Sequence, residues 1–160
     1  MSNALNVIPT EDDVSTGVRD TAPIAEGLAD LLADTYRLVF KSHAYHWNVE
    51  GPLFYSVHNL TEEHYEDLFS AADDLAERIR AIDAHAEGML AGMLKRSKIA
   101  EHDGHATDQE MIKMMQDAQE TLAATLAGCG ELAAKHGDTL TEDLCIARGQ
   151  THEKFAWLLR

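Results

Sequence analysis

Residues 46–79 read HWNVEGPLFYSVHNLTEEHYEDLFSAADDLAERI and contain the strongest helical pattern in the chain. From about Phe54 to Ala84, apolar residues recur every three or four positions, which predicts one long helix. Gly51–Pro52 separates this helix from the segment before it, and no proline follows position 52 to interrupt the rest of the chain. The predicted core face carries Val57, Leu60, His64, Leu68, Ala71, Leu75, Ile79 and Ile82.

The flanking sequence predicts three more long helices and hence an all-α protein. Ala, Leu, Glu and Asp dominate, and these segments have no runs of β-branched residues. Asp108, after Thr107, is a plausible N-cap of the third helix. Gly137 ends that helix, and Asp138 or Thr141 can cap the fourth. Two connections are short and one is long, which predicts a four-helix bundle with a long crossover between helices two and three. The helices are predicted over about 21–49, 54–84, 108–136 and 138–158, with a short crossover helix near 89–94.

Two domain-level assignments follow from the same pattern. Residues 1–20 are polar, acidic and aperiodic, so we interpret them as a mobile acidic N-terminal arm. Residues 21–160 form the predicted bundle domain. The two cysteines, Cys129 and Cys145, lack the spacing of a CxxC motif. We interpret them as reduced thiols.

Composition narrows the functional classes. The 160 residues contain 13 Lys and Arg against 28 Asp and Glu, a formal net charge of −15. Such a charge argues against binding a polyanion and is compatible with cationic partners, including metal ions. No apolar run approaches the ~20 residues of a membrane span, and the N-terminus lacks the pattern of a secretory signal. The sequence therefore predicts a cytoplasmic protein with no membrane contact.

Four side chains with metal-ligand chemistry share one stripe of the second helix. At roughly 100° per residue, Glu62 lies near 40° from His58, Asp73 near 60° and Glu77 near 100°. Phe54, Tyr55, Tyr65 and Phe69 fall on or beside this stripe, roughly 150° from the core face by the same geometry. A second subunit covering this semi-apolar face explains the aromatic residues.

The spacing along the helix predicts that any metal site is shared between chains. Glu62 and Asp73 are separated by about 16 Å along a helix, whereas ligand bonds are about 2 Å long. A second copy packed antiparallel across a twofold axis would bring His58 and Glu62 of one chain to Asp73 and Glu77 of the other. His46, at the end of helix one, is placed to close the site. Carboxylate and imidazole ligands suit iron, manganese or zinc.

His58 and Glu62, four residues apart, are either metal ligands or an ordinary surface pair, whereas the charges around Asp73 and Glu77 favour a bound cation. Asp73 and Glu77 are like charges at i, i+4, an arrangement that is mildly destabilising unless a cation joins them. Asp74 has Arg78 at i+4, and we expect those two to form a solvated ion pair.

The same residues resemble the signature of the Dps family, the ferritin-like mini-ferritins named as DNA-binding proteins from starved cells. The similarity lies in HWNVEGPLFYSVH, followed by Glu62 and DDLAERI, and in KFAWLLR near the C-terminus. It spans about residues 22–160. Conventional ferritins and bacterioferritins use ExxH motifs inside one bundle, and this sequence contains none.

The resemblance implies a ferritin-like fold and a hollow homo-oligomeric shell of twelve subunits. It implies oxidation of Fe(II), typically by hydrogen peroxide, and storage of the ferric product inside. By motif position, the ferroxidase centre would take His46, His58 and Glu62 from one chain and Asp73 and Glu77 from its partner. Many relatives have Asp where this chain has Glu62. Trp47 matches the family's tryptophan beside the centre, where it could accept an oxidising equivalent or be an interface residue.

DNA binding is the family property that this sequence disfavours. Residues 1–22 contain Arg19 alone among basic residues, against four acidic ones, and phosphate neutralisation needs a cluster of Lys or Arg. Lys95, Arg96 and Lys98 form one small basic patch in the crossover. We expect no stable DNA binding at physiological salt. The alternative function is a DNA-binding protective protein with minor iron chemistry, and a non-catalytic zinc or manganese bundle is a third possibility.

Three further features have open roles. His43 is either an extra ligand or a surface residue, and EHDGH at 101–105 is either an accessory metal patch or a polar loop. Acidic residues around Asp138, Glu142 and Asp143 are candidates to line an iron path into a shell.

Overall fold

A computed structural model describes residues 15–102 and 105–160, and it is entirely helical in its regular structure. The helices are α1 (Ala22–Asn48), α2 (Phe54–Ala81), α3 (Leu90–Arg96), α4 (Asp108–His136) and α5 (Thr139–Leu158). The four long helices and the crossover that carries α3 confirm the predicted ferritin-like architecture. Helix α2 ends three residues earlier than predicted because the chain turns at Asp83, which has a φ of 62°. Residues 1–14 of the predicted arm lie outside the described residues, and residues 15–20 precede α1 without helical structure.

The core forms between two helical hairpins, α1 with α2 and α4 with α5. The predicted core face of α2 is buried except for Leu60, which is half-buried. Each fully buried leucine or isoleucine contributes about 1.5–3 kcal/mol through removal of apolar surface from water. The largest fully buried apolar side chains are Ile24, Leu28, Leu31, Leu32, Leu38, Leu68, Leu75, Ile79, Ile82, Met115, Leu122 and Leu126. Within the described residues, no helix is long and apolar enough to cross a bilayer.

Side-chain caps set the starts of both helices in the second hairpin, but the cap of α4 is Thr107 and not the predicted Asp108, which is already the first residue of the helix. Thr107 and Glu110 form a reciprocal capping box at the start of α4. Gly137 ends α4 with a φ of 78°, a left-handed conformation that favours glycine. Asp138 caps α5 by accepting a hydrogen bond from the Thr141 amide at 3.0 Å.

The predicted Asp74–Arg78 ion pair and the predicted place of Asp138 on an iron path are both wrong, because Arg78 pairs with Asp138. Arg78 does not pair with Asp74 but crosses to α5, where it donates to Asp138 at 2.6 Å and to the Thr141 hydroxyl at 2.8 Å. Asp138 is only 1% exposed and is fully engaged in this cap and ion pair. It therefore joins the C-terminal end of α2 to the turn before α5 and does not line an iron path. Glu142 and Asp143 remain candidates for that role.

The crossover is fixed to α1 through Asp34, a fully buried carboxylate. Its Oδ1 accepts hydrogen bonds from the Ser97 hydroxyl at 2.7 Å and from the amides of Lys98 at 2.6 Å and Ile99 at 3.3 Å. A buried carboxylate is tolerated when such donors replace its hydration. The contact sets the direction in which the chain leaves α3 and passes along α1.

A buried polar chain links three helices in the middle of the bundle. Arg148 donates to His152 at 3.5 Å, His152 to the Gln119 carbonyl at 2.6 Å, and the Gln119 amide to His64 at 3.3 Å. Asp67 holds Arg148 through two hydrogen bonds, one of them 3.1 Å long. The chain thus joins α5, α4 and α2, and His64 belongs to it as a core residue.

Candidate metal centre

A tight turn between α1 and α2 brings the first two predicted ligands together. Gly51 has a φ of 105°, and a Cβ there would lie 2.8 Å from Oδ2 of Asp108. The same Asp108 oxygen accepts a hydrogen bond from the Leu53 amide at 3.1 Å. Glycine is thus required both for the backbone conformation and for the close approach of α4. The turn sets α1 and α2 antiparallel, with His46 near the end of one and His58 near the start of the other.

His46 and His58 hold each other through reciprocal hydrogen bonds. Nδ1 of His46 lies 2.8 Å from the His58 carbonyl oxygen, and Nδ1 of His58 lies 2.9 Å from the His46 carbonyl oxygen. The two rings stack with centroids 3.8 Å apart and planes 17° apart. Both side chains are half-buried. Each histidine therefore orients the other, and the turn at Gly51 fixes both.

This pairing determines which ring nitrogens can bind a cation. A carbonyl oxygen only accepts hydrogen bonds, so Nδ1 of each histidine must carry the proton. In the neutral form, each Nε2 then has a free lone pair. An imidazole whose other nitrogen donates to a carbonyl is the usual state of a metal-ligating histidine, because that bond fixes the tautomer and the ring orientation. His46 and His58 therefore fit metal ligands.

Tyr65 connects this histidine pair to Glu62. The Tyr65 hydroxyl donates to Oε1 of Glu62 at 3.3 Å, and its ring meets the edge of His46 at 5.3 Å between centroids. Desolvation and the nearby Glu62 carboxylate raise the pKa of Tyr65, so the hydroxyl keeps its proton at neutral pH. Glu62 is thus held on the side of α2 that carries His58. The position of Tyr65 on the stripe was visible in the sequence, but its contact with Glu62 was not.

His43 and Trp47 continue this aromatic group along α1. The His43 ring lies 4.1 Å from the Tyr65 ring and stacks on Trp47 at 5.2 Å, with planes 4° apart. Desolvation, followed by the charge of His46, lowers the pKa of His43. The arrangement favours a packing role for His43 over a ligand role. Trp47 stays 69% exposed.

Asp73 and Glu77 lie farther along α2 and are exposed in the single chain. Across the described residues, neither of them nor Glu62 forms an ion pair. Within residues 15–102 and 105–160, no three His, Cys, Asp or Glu side chains lie close enough together to hold a metal ion. Within one subunit, the histidine pair with Glu62 therefore stays separate from Asp73 and Glu77. The five-residue shared site itself remains a prediction.

The helical face around these ligands is unusually apolar for an exposed surface. Tyr55 is 76% exposed, Phe69 63% and Phe54 46%. Together with Trp47 and the half-buried Ala76, they form a surface that we name the α2 face. Exposed aromatic clusters next to polar groups are typical of protein interfaces. A second copy that covers this face would bring further ligands to the histidine pair.

Comparison with known proteins agrees with the fold. The family model described as a ferritin-like domain matches residues 25–160. The crystal structure of Dps from Staphylococcus aureus superposes with a TM-score of 0.84 at 28% identity, over 86% of this chain and 93% of that chain. The Dps protein of Vibrio cholerae O1, described as a member of a broad superfamily of ferritin-like diiron-carboxylate proteins, gives 0.83 at 31% identity, covering 87% of each chain. The fold and the matching family model thus define a ferritin-like protein.

Curated relatives identify the family to which this chain belongs among the ferritin-like proteins. A DNA protection during starvation protein of Porphyromonas gingivalis is 30% identical over 146 residues, covering 90% of this chain and 92% of that protein. DNA protection during starvation protein 2 of Bacillus anthracis is 32% identical over 137 residues, covering 86% and 94%. The chain belongs to the Dps family, which confirms the resemblance seen in the sequence.

Proposed function

We propose that this protein is a ferroxidase that detoxifies and stores iron. Fe(II) is its substrate, hydrogen peroxide its oxidant, and the ferric product is stored inside a hollow shell of twelve subunits in the cytoplasm. Each oxidation centre takes His46, His58 and Glu62 from one subunit and Asp73 and Glu77 from its partner across a twofold axis. The reciprocal bonding of His46 and His58, which leaves both Nε2 atoms free, is the observation that carries this proposal.

The ligand types suit the oxidation of iron. Carboxylates are hard ligands that stabilise Fe(III) more than Fe(II), so they lower the cost of removing an electron. Glu62, Asp73 and Glu77 supply three negative charges with no basic partner among the described ion pairs. Two Fe(II) ions and one H₂O₂, with two protons, give two Fe(III) and two water molecules. Supplying both electrons together limits the release of hydroxyl radicals.

The shared site can be tested by mixing two inactive variants. We expect His58→Ala and Glu77→Ala to be inactive alone, because each lacks a ligand in every site. In a mixed dimer, one site combines the altered position 58 of the first variant with the altered position 77 of the second and lacks both ligands. The other site combines the intact His58 of the second variant with the intact Glu77 of the first and is complete. Random assembly of equal amounts should therefore restore about a quarter of the wild-type rate of peroxide-dependent Fe(II) oxidation, since half the dimers are mixed.

The two variants should be co-expressed with different affinity tags, purified through both tags and checked for a twelve-subunit mass by native mass spectrometry. The control is His58→Ala co-expressed in two copies that carry the two different tags, and it should stay inactive. If the mixed assemblies regain no activity, the ligands of each centre do not come from two subunits and the proposed site is wrong.

DNA binding remains disfavoured, and the structure adds a reason. Two of the three residues of the basic patch in the crossover, Arg96 and Lys98, pair with acidic residues of α1. Arg96 pairs with Glu26 at 2.8 Å and with Asp30 at 2.9 Å, and Lys98 pairs with Asp30 at 3.4 Å. These contacts leave little free positive charge to neutralise phosphates. The alternative function as a DNA-binding protective protein therefore gains no support from this patch.

We predict no gel shift of linear duplex DNA by the full chain at 150 mM salt and micromolar protein. The double variant Glu26→Gln/Asp30→Asn, which frees the patch, is the matched comparison and should bind more strongly at low salt. A salt-sensitive shift by the wild-type protein would contradict the prediction.

A further inference from the structure

The two cysteines face each other across the second helical hairpin. The turn between α4 and α5 is centred on Gly137 and Asp138, with Cys129 eight residues before Gly137 and Cys145 eight residues after it. In an antiparallel hairpin, residues equally distant from the turn lie at the same level. Both side chains are buried, at 5% and 2% exposure.

The packing at this level is close. Gly130 follows Cys129 on α4, and a Cβ at Gly130 would lie 3.2 Å from Cβ of Cys145. The absence of a side chain at Gly130 thus lets α5 approach α4 at the level of the two thiols. On the other side, Cys129 Sγ lies 3.0 Å from the position of a Cβ on Gly27 of α1. The backbone of α1 at Gly27 thus approaches Cys129, and the backbone of α4 at Gly130 approaches Cys145.

The two thiols differ in acidity because they interact. Hydrogen bonding from Cys145 lowers the pKa of Cys129. The same interaction and burial raise the pKa of Cys145. Burial, followed by the charges of Asp138 and Asp30, acts against the shift at Cys129 and raises the pKa of that thiol. A thiol with the lower pKa is the better nucleophile towards a peroxide, and its neighbour is the natural resolving thiol.

Both sulfurs lie next to surface grooves. Cys129 lines a groove of about 580 Å³ together with Gly27, Asp30 and Thr125. Cys145 lines a second groove of about 430 Å³ on the opposite side of α4, with Gly130 and Ile146. Hydrogen peroxide would have to enter through one of these grooves to reach the two buried thiols. Neither cysteine joins two other ligand side chains within the described residues, which argues against a metal site here.

We propose that Cys129 and Cys145 form a dithiol that reduces hydrogen peroxide and closes to an intrachain disulfide. The Cys129 thiolate attacks one peroxide oxygen and breaks the O–O bond, giving a sulfenic acid and, after protonation, water. The Cys145 thiol then attacks this sulfur, forms the S–S bond and releases a second water. In total, two thiols and one H₂O₂ give one disulfide and two waters, so each subunit has a two-electron reserve that requires no iron.

The test uses the assembled, TCEP-reduced protein, freed of iron with a chelator and of reductant by desalting. After treatment with hydrogen peroxide, we expect a loss of 2 Da per subunit and of both thiols titrated after denaturation. Peptide mapping should recover a Cys129–Cys145 linked peptide. Retention of both thiols in the wild-type protein, or disulfides between subunits only, would overturn the proposal, and neither result depends on a variant.

Single variants establish the order of attack. In Cys145→Ser, Cys129 should accumulate a sulfenic acid that dimedone traps, while in Cys129→Ser the remaining thiol should react at least tenfold more slowly. The reverse pattern would overturn the assigned roles. Both variants should retain peroxide-dependent Fe(II) oxidation, because neither cysteine belongs to the proposed centre. This result also separates the dithiol proposal from the ferroxidase proposal, which can fail independently.

Discussion

Replacing Glu77 with alanine should reduce peroxide-dependent Fe(II) oxidation by at least about 100-fold. Loss of a group that merely supports a ligand costs about 10–100-fold in metal affinity or activity, and loss of a ligand should cost more. Glu77 lies exposed on the α2 face, where it forms no ion pair among the described residues. Its removal should therefore cost the subunit little stability, and any large effect on oxidation reports its role as a ligand.

Asp74 provides the matched control, because it is an exposed carboxylate one residue from Asp73 on the same helix. Its pairing with Arg78, expected from the sequence, does not occur, so Asp74→Ala removes a charge without breaking that contact. We expect Asp74→Ala to retain oxidation within about twofold of wild type, since surface substitutions away from a site have small effects. Stopped-flow absorbance of ferric product under anaerobic conditions with added peroxide measures both variants. A wild-type rate in Glu77→Ala would reject the site assignment.

The fold was predictable because its signals are local. Helical periodicity, the turn at Gly51–Pro52 and the glycine at 137 each act within a few residues, and the structure confirms them. The cap of α4 falls on Thr107, one residue before the predicted Asp108. Angles along one helix also placed His58, Glu62, Asp73 and Glu77 on one stripe. Their distance along the helix alone predicted that one chain cannot complete the site.

Features that depend on packing between distant segments were not predictable. Arg78 has a carboxylate at i−4, but it pairs with Asp138, sixty residues away, because the end of α2 meets the start of α5. The reciprocal bonds between His46 and His58 likewise depend on how α1 and α2 pack beyond the turn. Sequence spacing gives no signal for the partner of Tyr65 or for the burial of His152.

Replacing His152 with asparagine should make the unfolding free energy fall less steeply as the pH is lowered. His152 is 1% exposed, and burial, with the positive charge of Arg148, lowers its pKa to about 3. Asp67 opposes this shift, and His64 on α2, whose own pKa burial lowers to about 4, adds to it. Protonation of Nε2 would also put an N–H against the Arg148 guanidinium that now donates to it at 3.5 Å.

The sign of the pH dependence follows from this depressed pKa. An unfolded histidine titrates near 6.5, so below that pH the unfolded state binds a proton that the folded state does not. The contribution of neutral His152 is therefore fully present above pH 6.5 and declines as the pH falls towards the folded value. The decline is about 1.4 kcal/mol per pH unit for this one group. In His152→Asn this part of the decline should disappear, because the asparagine amide does not titrate. Its NH₂ group can still donate to Gln119.

Urea unfolding at constant protein concentration between pH 7 and pH 4.5 measures the effect for each variant. The quantity to compare is the slope of the unfolding free energy against pH, since carboxylate protonation and subunit dissociation contribute to wild type and variant alike. His85→Asn is the matched control, because His85 is exposed and should leave the slope unchanged. If His152→Asn and wild type lose stability in parallel as the pH falls, His152 is not the group that makes the bundle sensitive to acid.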